Sequence, residues 1–211
     1  MNGVRIALPK GRLYDQALIL LAKAGIRPAE DQNGSRKLVF PDTDLHHEFV
    51  CLKPVDIPVY VESGAIDAGI VGSDILREFE SDVYEPLDLQ IGKCGLVLAA
   101  PDGAELAYDQ HLRIATKYPK TAERFFKAHN AHVHIVKLDG SVEIAPLLGL
   151  SDAIVDLVET GRTLRENGMR VVEEITRVSA KLIVNRTAMK MKAAEVGRLT
   201  AKLDAVVYAK T

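Results

Sequence analysis

The strongest chemical signal in the chain is the segment Ala153-Ile154-Val155-Asp156-Leu157-Val158-Glu159-Thr160-Gly161-Arg162-Thr163-Leu164. An apolar strand runs into a Thr-Gly-x-Thr turn and then into a helix. Such a turn points backbone N–H groups and two hydroxyls, those of Thr160 and Thr163, at one spot. The helix start adds partial positive charge and Arg162 can add a full one. This is the pattern of a cradle for a monophosphate. Asp156 sits on the strand four residues before the turn, where a carboxylate can accept hydrogen bonds from ribose hydroxyls. Cradle and acid together read as a ribose 5-phosphate site. The competing reading is that the Asp and Thr side chains only cap the turn and the helix.

Four weaker signals have the same form, a strand that ends in a polar turn before a helix. Leu8-Pro9-Lys10-Gly11-Arg12-Leu13 places Lys10 and Arg12 around a glycine. The pair could neutralise a polyphosphate, or could be surface cations on a solvated loop. Lys53-Pro54-Val55-Asp56-Ile57-Pro58 and Asp67-Ala68-Gly69-Ile70-Val71-Gly72-Ser73-Asp74 form the third signal. Gly69 and Gly72 permit close backbone approach, and Asp56 and Asp74 either cap helices or line a nucleotide pocket. Arg113-Ile114-Ala115-Thr116-Lys117-Tyr118-Pro119 puts Thr116 and Lys117 at a strand end, which suits a pyrophosphate. Asp139-Gly140-Ser141-Val142-Glu143 is a junction of the same kind, from which Glu143 could face a sugar. His132 and His134 share one strand face, but no Cys or carboxylate follows at ligand spacing, so a surface pair is expected. His46-His47 reads as a solvated loop. No nucleophile elbow, Walker A loop or dinucleotide fingerprint is present.

The elements that must position these turns are short strands alternating with helical patterns. Strands are expected at Val4–Leu8, Phe49–Lys53, Asp67–Val71, Gly95–Ala100, Arg113–Thr116, His132–Leu138, Ala153–Val158, Arg170–Ile175 and Lys181–Asn185. Helices are expected at Tyr14–Ala24, Asp56–Ser63, Ile75–Phe79 (capped by Ser73-Asp74), Lys120–His129 opened by Pro119, Val142–Leu148, Thr163–Glu166 and Lys190–Ala209. The alternation predicts an α/β protein with mainly parallel sheets and no internal repeat. Crossings near Pro86–Pro101 and Ile175–Ala180 would divide it into a discontinuous lobe I (1–90 plus 180–211) and a lobe II (91–179). The active site is then expected in the inter-lobe cleft.

The chain has 211 residues with 27 Lys+Arg against 29 Asp+Glu, a formal net charge of −2. Near-neutrality argues against a nucleic-acid partner, which needs a basic face, while leaving room for a local basic pocket. No run is long and apolar enough for a membrane span, and the N-terminus has no signal-peptide pattern, so no membrane and a cytoplasmic location are expected. Cys51 and Cys94 are the two cysteines. Both lie in apolar surroundings and are expected as buried, reduced thiols.

Taken in order, Leu8–Leu13, Asp67–Asp74, Arg113–Pro119 and Asp152–Leu164 resemble the ATP phosphoribosyltransferase family over nearly the whole chain. The length is similar to the family's short form, which lacks a C-terminal regulatory domain. The resemblance implies two lobes similar to type II periplasmic binding proteins. It implies transfer of the phosphoribosyl group of phosphoribosyl pyrophosphate (PRPP) to N1 of the ATP adenine, with Mg²⁺ accompanying the pyrophosphate and no carboxylate cage for a metal. It further implies a homodimer that joins a histidyl-tRNA-synthetase-like regulatory subunit in a hetero-octamer. By family pattern Thr160, Gly161, Arg162 and Thr163 hold the 5-phosphate, Asp156 and Glu143 serve the ribose, and Thr116, Lys117 and Ser141 lie near the sugar phosphate. Lys10, Arg12, Arg36 and Lys53 meet the pyrophosphate and ATP phosphates, and Gly11, Leu13, Asp56, Gly72 and Asp74 line the ATP site. Lys53 stands where the family usually has Arg, which keeps the charge but loses the planar fork. Two other readings compete: a two-lobed binding module without chemistry, and an ordinary nucleobase phosphoribosyltransferase.

Overall fold

The aliphatic runs form strands and the 3.6-residue patterns form helices in a computed structural model that describes residues 3–29, 37–44, 46–108 and 111–209. In chain order the elements are β1 (Arg5–Pro9), α1 (Arg12–Lys23), β2 (Val39–Pro41), β3 (Glu48–Leu52), a 3-10 turn (Pro54–Asp56), α2 (Ile57–Glu62), β4 (Ala68–Gly72), α3 (Ser73–Phe79) and β5 (Tyr84–Asp88). There follow β6 (Cys94–Pro101), β7 (Leu112–Thr116), α4 (Pro119–Ala128), β8 (Val133–Lys137), α5 (Ile144–Leu147), β9 (Ala153–Val158), α6 (Arg162–Glu166) and β10 (Met169–Val178). The chain closes with β11 (Ala180–Val184), α7 (Arg186–Met191) and α8 (Ala193–Val207). It divides into two units: Met1–Gly92 with Ser179–Thr211, and Lys93–Val178.

In the first unit the strand order is β2-β3-β1-β4-β11-β5. One face of this sheet packs Ile6, Leu8, Phe49 and Ile70 against Leu21 of α1 and Leu199 and Leu203 of α8. The other packs Ala7 and Val71 against Ile57, Val61 and Ile75 of α2 and α3. In the second unit the order is β10-β6-β9-β7-β8. Phe126 and Ala122 of α4 cover Leu98, Ile114 and Val155 on one face. Ala145 of α5 and Leu164 of α6 cover Val97, Ala115 and Ile154 on the other. Each fully buried aliphatic or aromatic side chain stabilises its unit by about 1.5–3 kcal/mol.

The α/β class and the division into two units hold, but the sheets are mixed rather than mainly parallel. Parallel pairing is confined to the triplets β3-β1-β4 and β8-β7-β9. The strands that carry the chain into and out of each unit are antiparallel: β11 pairs with β4 and β5, and β6 pairs with β9 and β10; the short β2 adds an antiparallel edge to β3. Other differences are local. The closing helix is two helices broken at Lys192, the first of them capped by Asn185, whose side chain accepts from the Thr187 and Ala188 amides. Ser73 and Asp74 lie inside α3 rather than capping it; the cap position is Gly72, without a side-chain bond. Cys51 is buried, but Cys94 is only half-buried.

The expectation of no internal repeat is also overturned. Each unit contains a strand–helix–strand–helix–strand–helix series, β1-α1-β3-α2-β4-α3 (with β2 inserted after α1) and β7-α4-β8-α5-β9-α6, whose first strand is in the middle of a parallel triplet. Arg5-Ile6-Ala7 begins one triplet and Arg113-Ile114-Ala115 the other. The Arg5 amide donates to Asp67 Oδ2 at 2.8 Å and the Arg113 amide to Asp152 Oδ2 at 2.8 Å. Each arginine also reaches the loop before its aspartate, at the carbonyl of Ala65 (3.1 Å) or Gly149 (2.7 Å). Asp-Ala opens the third strand in both units, and Leu-Arg-Glu follows in both helices, at Leu76-Arg77-Glu78 and Leu164-Arg165-Glu166.

Candidate active site

Because β7, β8 and β9 are parallel, their carboxyl ends share one edge of the second sheet. The connection through α4 passes over one face and the connection through α5 over the other, with β9 returning to the far side of β7. Ligands of open α/β sheets bind at such a reversal. The turns of this unit expected to do chemistry, after Thr116, before Glu143 and after Val158, leave from this edge.

Thr116 ends β7 and is fully buried. Its hydroxyl donates to the Val155 carbonyl at 2.7 Å and accepts from the Tyr118 amide at 2.9 Å. Its own carbonyl accepts from the Leu138 amide at 3.0 Å, so this one residue ties the ends of β7, β8 and β9 together. Lys117, next to it, is exposed. Ser141 is exposed in a left-handed conformation (φ 47), and Glu143 is half-buried at the start of α5.

Asp156 is half-buried on β9, its Oδ1 accepting from the Leu157 amide at 2.9 Å. It shares its sheet face with Ile154 and Val158, the face covered by α5 and α6. The strand ends at Val158, and Glu159-Thr160-Gly161 turns the chain into α6. Gly161 is left-handed (φ 70), a conformation costly to any residue with a Cβ, and an added Cβ would stand 3.1 Å from Arg165 Nη1. The Arg162 amide donates to Thr160 Oγ1 at 3.4 Å, and among the described residues the Thr160 and Gly161 amides meet no protein acceptor. Arg162 itself bonds Glu166 at 2.7 Å, which draws its guanidinium along the helix and away from the turn. Thr163 is exposed in the first turn of α6. Since α6 has only 5 residues, its dipole is small, and the anion-binding capacity rests on turn amides and side chains. Arg165, which no sequence motif marks, lies one helical turn beyond Gly161 with its guanidinium over that residue.

The first unit builds a matching edge at the carboxyl ends of β1, β3 and β4. The Lys10 amide donates to the Leu52 carbonyl at 2.8 Å, holding the first turn against the end of β3. Lys10, Gly11, Arg12, Lys53 and Asp56 are exposed there, and Leu13 packs against the core beneath. Gly72 ends β4, and the Asp74 carboxylate folds back over it so closely that a Cβ would lie 2.1 Å from Oδ1. Asp74 is thereby buried and engaged. Ser73 exchanges two hydrogen bonds with Ser179, its amide donating at 2.9 Å and its Oγ accepting at 3.3 Å. Arg36 lies outside the described residues.

One regularity links the two edges. The helices α1 to α6 all start at them, and none has a side-chain cap. The one side-chain cap described among the eight helices, Asn185, belongs to α7, which starts at the opposite end of the first sheet after an antiparallel strand. An uncapped helix start can offer its amides to an anion; at α3 the first of them, that of Ser73, is already donated to Ser179. Elsewhere, among the described residues, no three His, Cys, Asp or Glu side chains gather to hold a metal ion, and no helix is long and apolar enough to cross a membrane. His132, His134 and His46 are exposed; His47 is half-buried, and burial holds its imidazole below the usual value.

Comparison with known proteins bears on this geometry. The family model HisG, ATP phosphoribosyltransferase, matches residues 53–205. The ATP phosphoribosyltransferase of Caldanaerobacter subterraneus subsp. tengcongensis is 48% identical over 98% of this chain and 99% of its own. That of Thermoanaerobacter pseudethanolicus is 49% identical over 98% and 97%. Among solved structures, a chain of the ATP phosphoribosyl transferase (HisG:HisZ) complex from Thermotoga maritima superposes with a TM-score of 0.85 at 33% identity, covering 98% of this chain and 100% of that one. The periplasmic aliphatic sulphonate binding protein SsuA from Escherichia coli superposes with a TM-score of 0.62 at 13% identity, over 97% and 72%, a likeness of fold alone. Matched to its relatives end to end, the chain belongs to the ATP phosphoribosyltransferase family of histidine-biosynthesis enzymes and has the length of the family's short form.

Proposed function

We propose that the second unit binds PRPP on the Glu159–Thr163 turn, and that the first unit presents the N1 nitrogen of the ATP adenine to it. N1 attacks C1 of the ribose; the N1–C1 bond forms as the bond from C1 to the pyrophosphate oxygen breaks. The centre inverts, and phosphoribosyl-ATP and pyrophosphate result. The purine supplies the lone pair, so no side chain serves as a covalent nucleophile. The protein's work is alignment of two polyanions and stabilisation of charge on the leaving group. In this reading the turn amides and Thr160 and Thr163 hold the 5-phosphate, while Asp156 and Glu143 accept from the ribose hydroxyls. Lys117 and Ser141 flank the sugar. Lys10, Arg12, Arg36 and Lys53 neutralise pyrophosphate and ATP phosphates, and Gly11, Leu13, Asp56, Gly72 and Asp74 border the ATP. Mg²⁺ enters with PRPP, bound through pyrophosphate oxygens and water.

The observation that carries this reading is the turn at Glu159–Gly161. Among the described residues its Thr160 and Gly161 amides meet no protein acceptor, it follows a strand bearing Asp156, and it sits in a chain of this family. A HisZ-type regulatory subunit is proposed as the partner, because the Thermotoga maritima relative is part of a HisG:HisZ complex. A homodimer of this chain within a hetero-octamer and a cytoplasmic location complete the proposal. The test is to mix the chain, with and without such a subunit, with ATP, PRPP and Mg²⁺ and follow adduct absorbance near the adenine band. Thr160→Ala is expected to raise KM for PRPP about tenfold, from loss of a charge-assisted hydrogen bond, with KM for ATP little changed. Equal losses for both substrates would misplace the phosphate turn.

A further inference from the structure

We infer that Arg165 supplies the positive charge that holds the sugar phosphate on the Glu159–Gly161 turn, a role that rests on the PRPP reading above. A phosphate seated there carries close to two negative charges. Turn amides alone compensate little of that, and α6, with 5 residues, adds little dipole. A full positive charge must come from a side chain. Arg162 is adjacent in sequence, but its Nε is bonded to Glu166, one turn further along the helix. Arg165 has the opposite geometry. Helical side chains lean toward the helix start, and its Nη1 stands 3.1 Å from where a Cβ of Gly161 would be. Among the described residues the Arg165 guanidinium has no hydrogen bond or ion pair. Its counterpart in the first unit, Arg77, is engaged. The two units differ at this point by length as well: Asp152 precedes Leu164 by twelve positions, while Asp67 precedes Leu76 by nine. The extra residues of the second unit are those of the turn that Arg165 overhangs. A guanidinium here offers a planar fork to two phosphate oxygens.

The test titrates the full chain by calorimetry with ribose 5-phosphate, which carries the terminal phosphate without the pyrophosphate, and separately with ATP. Arg165→Ala is expected to weaken ribose 5-phosphate binding about 10- to 100-fold, the range of a lost charged hydrogen bond. ATP binding should stay within about twofold, and the thermal midpoint should not move, since the side chain is exposed and unpaired. Arg165→Lys should recover part of the loss by keeping the charge without the fork. If Arg165→Ala binds ribose 5-phosphate like the unmodified chain, or weakens ATP equally, the assignment to Arg165 is wrong while the phosphate turn stands. If the unmodified chain binds neither ribose 5-phosphate nor PRPP, the PRPP reading itself falls.

Discussion

At the scale of single residues, Thr116 and Cys51 make the sharpest contrast. Both look reactive by type, and both are committed elsewhere. The Thr116 hydroxyl bridges Val155 and Tyr118 inside the second unit. Thr116→Val keeps the shape and removes both bonds, which should cost about 1–3 kcal/mol in urea unfolding. KM for PRPP should rise as well, because the ends of β7 and β9 lose their tie. Burial pushes the Cys51 thiol up to about 11, so at pH 8 it stays protonated. Mass spectrometry after brief alkylation should find Cys94 labelled well before Cys51. Thr116 was visible in the sequence as a strand-end position, but its partner Val155 is 39 residues away, and no local pattern displays such a bond. Arg165 went unread for the converse reason: Arg-Glu in a short helix looks like solvated charge, and only the return of its side chain over Gly161 distinguishes it.

At the scale of elements, the aspartates that open β4 and β9 have a job at the far end of each sheet from the candidate site. The Arg113 guanidinium, by its hydrogen bonds, holds the Asp152 carboxyl below the ordinary carboxylate range. A carboxyl depressed in the folded state contributes fully above the unfolded value of about 4 and loses that contribution as pH falls through the lower folded value. Asp152→Asn is therefore expected to flatten the fall of stability below about pH 4, measured as urea midpoints at stepped pH, with no change in the slope above pH 5. Strands and helices with clear periodicity were legible: β1, β3, β4, β6, β7, β8, β9 and α4 lie where alternation and Pro119 put them. The break at Lys192 was not, because Val196, Leu199 and Leu203 continue an apolar stripe that hides the separate start of α7 at Asn185. Strand β5 was missed because Pro86 suits an edge strand as well as a connection.

At the scale of the whole molecule, mixed sheets and the repeat both follow from the path of the chain. The repeat could not be read from spacing, since Arg5 to Asp67 spans 62 residues and Arg113 to Asp152 spans 39. What the two units share in sequence is short strings such as Arg-Ile-Ala, Asp-Ala and Leu-Arg-Glu. The second unit is one continuous stretch with core clusters on both faces of its sheet. Lys93–Val178 expressed alone is expected to unfold cooperatively in urea. A chain ended at Val178 lacks β11 and α8, exposes β4 and β5 as open edges, and is expected to elute as aggregate in size-exclusion chromatography.

The place of β11 between β4 and β5 has a consequence for synthesis. On the ribosome, the stretch Lys93–Val178 can settle as soon as it clears the exit tunnel. The first 92 residues must wait as a gapped half-sheet until Val184 emerges. The portion made earliest is thus the last to mature, and for that interval its nascent edges are the natural client surface for chaperones.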